Sequence, residues 1–336
     1  MLKKIYFILS FLLSAFLVNS QVVINEYSAS NFDSHLDNYG EYEDWVELYN
    51  TTNSDIDLNG WSLTDKPSNL SKWSFPGSFI VSANSVAIVY CSGLNELVGG
   101  VAHTNFKITQ TKAGEVFVLS DASGNIVDSA RAVPAQKSHS RGRDVNGGTT
   151  WSVFTSATPN TNNSGAMLEY APLPIFSQSS GYYSAPFDLT LSCADPNAIL
   201  YYTTDGSKPD NSANLYTGPF NISSTSVVKA VAYSTNGLVP PSFIDYHTFF
   251  INDTHTVPIL SVSGDSVAVL IEDGLQNIGS WWNGTPHEPQ GTIEWFDKNG
   301  VLIDKGTGEF NKHGNDSWAY DQRGFDYIMR DQFGYN

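Results

Sequence analysis

From residue 21 to residue 165 the apolar positions come in short alternating runs, each closed by turn formers, without the spacing of a helix face. Residues 22–27 (VVINEY), 45–49 (WVELY), 60–63 (GWSL), 85–90 (SVAIVY) and 115–119 (EVFVL) read as strands. Ser123-Gly124-Asn125 is placed to turn the last of these back into residues 126–128. Short strands at regular intervals predict a β-sandwich. Residues 158–165 (TPNTNNSG), polar and rich in breakers, read as the linker that ends the unit.

A second unit covers residues 166–251. Pro172 and Pro174 force an extended start. Phe187, Leu189 and Leu191 then alternate with Asp188, Thr190 and Ser192, and residues 199–203 (ILYYT) run into Thr204-Asp205-Gly206-Ser207. Asp-Gly between strand formers predicts a hairpin there. Residues 227–233 (VVKAVAY) make a further strand, and residues 215–220 a second turn. In a third unit, residues 252–336, two strands at 257–262 and 291–297 precede a hairpin turn at Asp297-Lys298-Asn299-Gly300.

Ahead of all this, Lys3 and Lys4 precede an apolar stretch at residues 5–18, and Ser20 stands before Gln21 as a small residue at a cleavage point. Residues 1–20 therefore read as a secretory signal peptide. The apolar stretch is short of the roughly 20 residues that cross a bilayer, and nothing later approaches such a span. The expectation is a secreted or cell-surface protein with no membrane span after cleavage.

Ile24-Asn25-Glu26, Asp44-Trp45-Val46-Glu47-Leu48-Tyr49-Asn50, Asp57-Leu58-Asn59-Gly60-Trp61 and the closing Ser140-Arg141-Gly142-Arg143 with Trp151 and Thr158-Pro159 follow one another in an order that resembles the lamin-tail domain. That resemblance implies an immunoglobulin-like sandwich acting as a binding or spacing module. Ser180-Gly181-Tyr182-Tyr183, Tyr201-Tyr202-Thr203-Thr204-Asp205-Gly206-Ser207 and Leu215-Tyr216-Thr217-Gly218-Pro219 resemble the small C-terminal β-domain of chitobiases and β-hexosaminidases, an accessory sandwich without catalytic residues. The third unit, through residues 257–262 (VPILSV), 291–297 (GTIEWFD), His313-Gly314-Asn315-Asp316-Ser317 and residues 327–335 (YIMRDQFGY), is similar to the start of the CotH family of atypical kinases. There Trp318 and Gln322-Arg323 replace the family's Arg and Lys, so Arg323 is the stand-in for a nucleotide contact. The fold class that follows is mainly β: two consecutive immunoglobulin-like β-sandwiches, then the truncated start of an α+β kinase-like domain. Because that third domain is only begun, the chain reads as the front end of a longer protein.

Composition narrows the chemistry. With 17 Lys+Arg against 34 Asp+Glu the chain carries a formal charge of -17, and the excess of carboxylates recurs in every unit. Such a field opposes extended contact with nucleic acid. The two cysteines, Cys91 and Cys193, fall in different units and read as small buried hydrophobes, not a disulfide framework. The seven histidines show no helical zinc spacing, and His287-Glu288 runs into Pro289. No phosphate-cradling Gly-rich loop and no GxSxG elbow occurs. No catalytic constellation is therefore expected within residues 1–336.

Three features invite ligands. The acidic stretch Asp33 to Asp44, with Gly40 inside it, suits Ca²⁺ with Asp37, Glu41 and Asp44 as ligands, or else is a solvated loop. Trp281-Trp282, in a loop rich in Gly, Asn and Pro, reads as a carbohydrate or ligand platform, whereas Trp45, Trp61 and Trp151 read as core. Arg141 and Arg143, with Lys137 and His139, form a basic patch that is either an anion site or paired with Asp144 or another carboxylate. The leading function is a secreted, monomeric modular protein whose sandwiches bind extracellular polysaccharide or a surface protein and present the CotH-like unit. The alternatives are a secreted kinase using Mg²⁺ and ATP, and an accessory region of a glycan-degrading enzyme.

Overall fold

The structure is a computed structural model that describes residues 21–110, 115–265, 267, 290–312 and 325–329. The signal-peptide stretch, Trp281, Trp282 and Arg323 lie outside the described residues. The complete elements among the described residues are β-strands, and no sheet mixes strands from 22–154, 175–251 and 259–329.

In the first unit a seven-stranded sheet has the order Trp151–Phe154, Ser140–Arg143, Val22–Ser28, Trp45–Asn50, Val86–Tyr90, Val101–His103, Glu96–Val98. A four-stranded sheet faces it, ordered Ile126–Arg131, Val116–Ser120, Ser62–Thr64, Trp73–Ser74. Alternation decides the inner layer: Val22, Ile24, Tyr27, Val46 and Leu48 meet Leu63, Trp73, Phe117 and Leu119 in one core. Tyr27 stands edge-on to Phe117 at 4.9 Å and gives its hydroxyl proton to Arg131 O. Cys91 is buried in this core and Cys193 half-buried in the second unit; both are free thiols.

The strands read from alternation are present to within a residue or two. Those that alternation missed include very short ladders and one largely polar strand. Ile56–Asp57, Trp73–Ser74 and Ile80–Val81 are two-residue ladders, too short to show a period. Ser140–Arg143 is buried throughout although three of its four residues are polar or charged, because its arginines are paired.

The second unit centres on a five-stranded sheet, ordered Gly181–Tyr183, Asp245–Ile251, Ser226–Tyr233, Ile199–Thr203, Asn214–Leu215. Asp205-Gly206 does not close a tight hairpin. Tyr201 and Tyr202 pair with Leu215 and Asn214, so the connection runs from Thr204 to Ala213. Within it Asp205 Oδ1 accepts the Ser207 N–H at 3.0 Å, a local turn that Gly206 permits with φ +78°. Val228, Ala230, Ala232, Leu200 and Phe249 fill the core on one face of this sheet.

The other face is covered as well. A sheet ordered Ile259–Ser263, Gln290–Phe296, Leu302–Lys312, Phe325–Met329 packs across it, with Asp297-Gly300 as the expected hairpin turn. Phe250 meets Phe296 edge-on at 5.2 Å, and Thr248 Oγ1 lies 2.7 Å from Ser261 Oγ. The buried Glu294 carboxylate accepts from Ser180 and Thr248. Lys305 Nζ reaches Asp245 Oδ1 at 2.7 Å.

Gly300 sits at this contact with φ +79°, and a Cβ there would overlap the Tyr182 ring. Gly124 has nearly the same φ, +82°, with open space around it. Gly124→Ala should cost about 1 kcal/mol, the left-handed backbone penalty alone. Gly300→Ala should add about 1–3 kcal/mol of overpacking. Denaturant unfolding of both variants checks the difference, and equal losses would disprove the contact.

Candidate functional site

In the first strand the pairing slips between Ile24 and Glu26, so Asn25 is an extra residue in a β-bulge. The bulge leaves Ile24 opposite Leu48 in the core and sets Glu26 opposite Glu47 on the outer face. Both glutamates are fully buried. Residues 158–163, expected to be a free linker, fold back over them. Glu26 accepts from Thr158 N at 2.9 Å, Thr158 Oγ1 at 2.5 Å and Ser140 Oγ at 2.5 Å. Glu47 accepts from Asn160 N at 2.7 Å and Asn25 Nδ2 at 3.0 Å. Asn25 Nδ2 also donates to Asn163 Oδ1 at 2.9 Å.

Burial raises both carboxyls, against the hydrogen bonds that favour ionisation; Glu47, with the Glu26 charge beside it, is pushed up to about 8. The pair retains a proton at neutral pH, but it is sealed under the cover. It fastens the cover to the sheet.

The acidic stretch stands on the same sheet, nearer its other edge. Asp37 Oδ1 accepts the N–H groups of Tyr39 at 2.8 Å and Glu41 at 2.9 Å, which makes a turn of residues 37–41 with Gly40 at φ +83°. Asp44 Oδ1 accepts the Asn31 N–H at 3.1 Å, and Glu43 pairs with Lys107 at 2.9 Å. Asp37 and Asp44 thus organise backbone, and among the described residues no group of three or more His, Cys, Asp or Glu is arranged to hold a metal ion. The calcium expectation at Asp37, Glu41 and Asp44 finds no gathered ligand set. Sequence reasoning missed the ring ladder beneath this loop: His35 stacks on Tyr90 and Tyr90 on His103, with centroids 6.0 and 5.2 Å apart. Residues scattered at 35, 90 and 103 leave no linear signal.

The basic patch is consumed in pairs, none with Asp144. Arg143 binds Asp128 at 2.8 Å and Ile24 O at 2.8 Å, and lies over Trp151, which is partly exposed and caps the guanidinium instead of filling the core. Trp45 is fully buried, though in a small outer-face cluster with Ile88 and Tyr90, and Trp61 packs half-buried against the main core. Lys137 meets Asp33 at 3.3 Å. Arg141 holds Glu169 through both oxygens, at 2.8 and 2.9 Å, lies over the Tyr170 ring, and donates to Pro134 O. Tyr170 OH accepts the Gln136 N–H at 3.0 Å and lies 2.8 Å from His139 Nδ1. Burial lowers His139 to about 4, so it is neutral.

Beside Arg141 is a cleft of about 270 Å³ in which segments of all three units meet. Its lining includes the Arg141–Glu169 pair, the Lys305–Asp245 pair, Tyr246 and Phe243. Burial alone would raise Glu169, but the Arg141 bonds outweigh it and hold it below its usual range. Asp245 is likewise buried, yet His247 and Lys305 hold it down to about 2. The carboxylates lining the cleft are therefore ionised at neutral pH, and neither can serve as a general acid. The carboxyls that burial raises, Glu26, Glu47 and Glu294, are enclosed by hydrogen-bonding partners elsewhere. Among the described residues no helix is long and apolar enough to cross a membrane.

Comparison with protein families finds two matches within the chain. Residues 18–133 match the family model of the Lamin Tail Domain, and residues 178–242 that of the Chitobiase/beta-hexosaminidase C-terminal domain. Both matches accord with immunoglobulin-like, non-catalytic modules. No curated protein matches the chain. Asn25, Glu26 and Glu47 lie inside the first match, whereas Arg141, Glu169, Asp245 and Lys305 lie outside both.

Glu47 titrates near 4.5 without the fold and near 8 within it, so the folded state holds a proton that the unfolded chain has lost across that interval. The stability it contributes is complete below pH 4.5 and declines as pH rises through 8, by up to about 1.4 kcal/mol per unit. Glu47→Gln should flatten the slope of melting temperature between pH 5 and 8, by thermal unfolding. An unchanged slope would mean that Glu47 is ionised beneath its cover.

Proposed function

We propose that this chain is an exported modular protein whose two sandwiches serve as non-catalytic binding and spacing modules and carry the third, CotH-like unit at a set distance. Extracellular polysaccharide, or a protein on a cell surface, is the partner class. The observation that carries the reading is the division of the carboxyls among the described residues: those that burial pushes upward, Glu26, Glu47 and Glu294, are enclosed by hydrogen-bonding partners, and those lining the cleft, Glu169 and Asp245, are held down by the cations they face. Acid-assisted glycoside cleavage needs a protonated carboxyl within reach of a sugar.

Spacing is supported by the built junctions. The bidentate Arg141–Glu169 pair, Tyr170 against His139 and the Gln136 Nε2 bond to Pro241 O at 2.9 Å tie the first unit to the second. The second is tied to the third through Glu294 and Lys305. Small-angle scattering of the chain lacking residues 1–20 should give one narrow distance distribution, and Arg141→Ala with Tyr170→Ala should broaden it. A distribution equally broad in both would refute the rigid spacing.

Binding is tested by retention on insoluble polysaccharides, chitin among them, with reducing ends measured in the same tubes. The expected result is retention without new reducing ends. Release of sugar by the purified chain would overturn the non-catalytic reading, and no retention on any polysaccharide would move the partner class to protein.

A further inference from the structure

We propose that the cleft where the three units meet binds one neutral pyranose residue at the end of a glycan. This rests on the polysaccharide reading above and names the place and the kind of sugar.

Four arguments carry it. The cleft is a meeting point of separate chain segments, Val133 to Arg141, Glu169 to Leu173, Phe243 to Tyr246 and Lys305 with Gly306, and junctions between units are where small-molecule sites concentrate. Its volume, about 270 Å³, is at the small end for ligand pockets and suits one sugar ring rather than a length of chain. Its charges cancel: Arg141 is matched by Glu169 and Lys305 by Asp245, so no net field selects an anion or a cation.

The last argument is the kind of polar group offered. Glu169, whose side chain is 63% exposed, and Asp245 present acceptors, while Arg141 and Lys305 present donors. A sugar hydroxyl both donates and accepts, so neighbouring hydroxyls can engage each ion pair from the side without breaking it. Val133, Leu173 and Phe243 supply the apolar surface against which the C–H face of a pyranose packs. Lys305 is held over the Tyr246 ring at 4.7 Å and bound to Asp245 at 2.7 Å, and Arg141 by Glu169 and Pro134 O, so the polar groups are positioned before a ligand arrives.

The test uses the full chain and ligand-observed NMR with methyl glycosides of glucose, galactose, mannose and N-acetylglucosamine, and with glucuronate. At least one neutral glycoside should bind in the millimolar range, more tightly than glucuronate. Val133→Trp, at an exposed residue of the cleft's lining, puts an indole into its volume and should weaken binding at least about tenfold. Glu169→Gln keeps the shape and should weaken it about tenfold as well, which guards against misfolding of the Trp variant. No binding by any neutral glycoside, or tighter binding of glucuronate, overturns the proposal. Retention on polysaccharide that both variants keep in full would overturn the cleft while leaving the polysaccharide reading intact. Loss of retention by the unaltered chain, with no glycoside bound, removes both.

Discussion

The five-stranded sheet of the second unit is covered on both faces, and the arrangement of the molecule depends on that constraint. A sheet with one wet face shows strict alternation, whereas Ser226–Tyr233 is buried along most of its length. The price of the second cover is a desolvated ammonium: burial lowers Lys229 to about 8, and the charges of Asp265, Glu294 and Asp205 offset part of the penalty. Lys229 Nζ donates to Ser263 O at 3.4 Å, and Glu294 accepts from Ser180 and Thr248, so buried polar contacts tie the third unit to the second.

The first unit solves a related problem with different parts. A bulge at Asn25 turns Glu26 outward to face Glu47, and two carboxylates so placed are tolerable only because one keeps its proton and the segment at 158–163 supplies N–H and hydroxyl donors. In both units buried acids organise connections between chain segments. The acids that remain open, at the three-unit cleft, are ionised by the cations they face. That division separates groups that hold the modules together from groups with which a ligand can interact.

The legible parts of the fold were those encoded locally. Alternation located Val22–Ser28, Trp45–Asn50, Val86–Tyr90 and Val116–Ser120, and the Asp297-Gly300 turn closed the hairpin its residues announced. Ser140–Arg143 was not legible from period, because its arginines are stabilised by Asp128 and Glu169, one earlier and one later in the chain. Asp205-Gly206 looked like a tight hairpin, yet the partner of Tyr201 is Leu215, and only strand pairing reveals the longer connection. The polar run at 158–163 read as linker because nothing local says that Asn160 will donate to Glu47, 113 residues away in the chain.

The candidate site was less legible still. The arginine of the cleft was visible as part of a basic patch, and its pairing with a carboxylate was among the expected outcomes, but Glu169, Asp245 and Lys305 carry no motif. By itself the amino-acid sequence determined the strand-rich character, the turns and the two recognisable modules, since these follow from side-chain period and backbone preference over a few residues. Only the tertiary structure decided which acids keep their protons, which linker becomes a cover and where three units leave a cleft, because desolvation and ion pairing depend on neighbours brought together from distant parts of the chain.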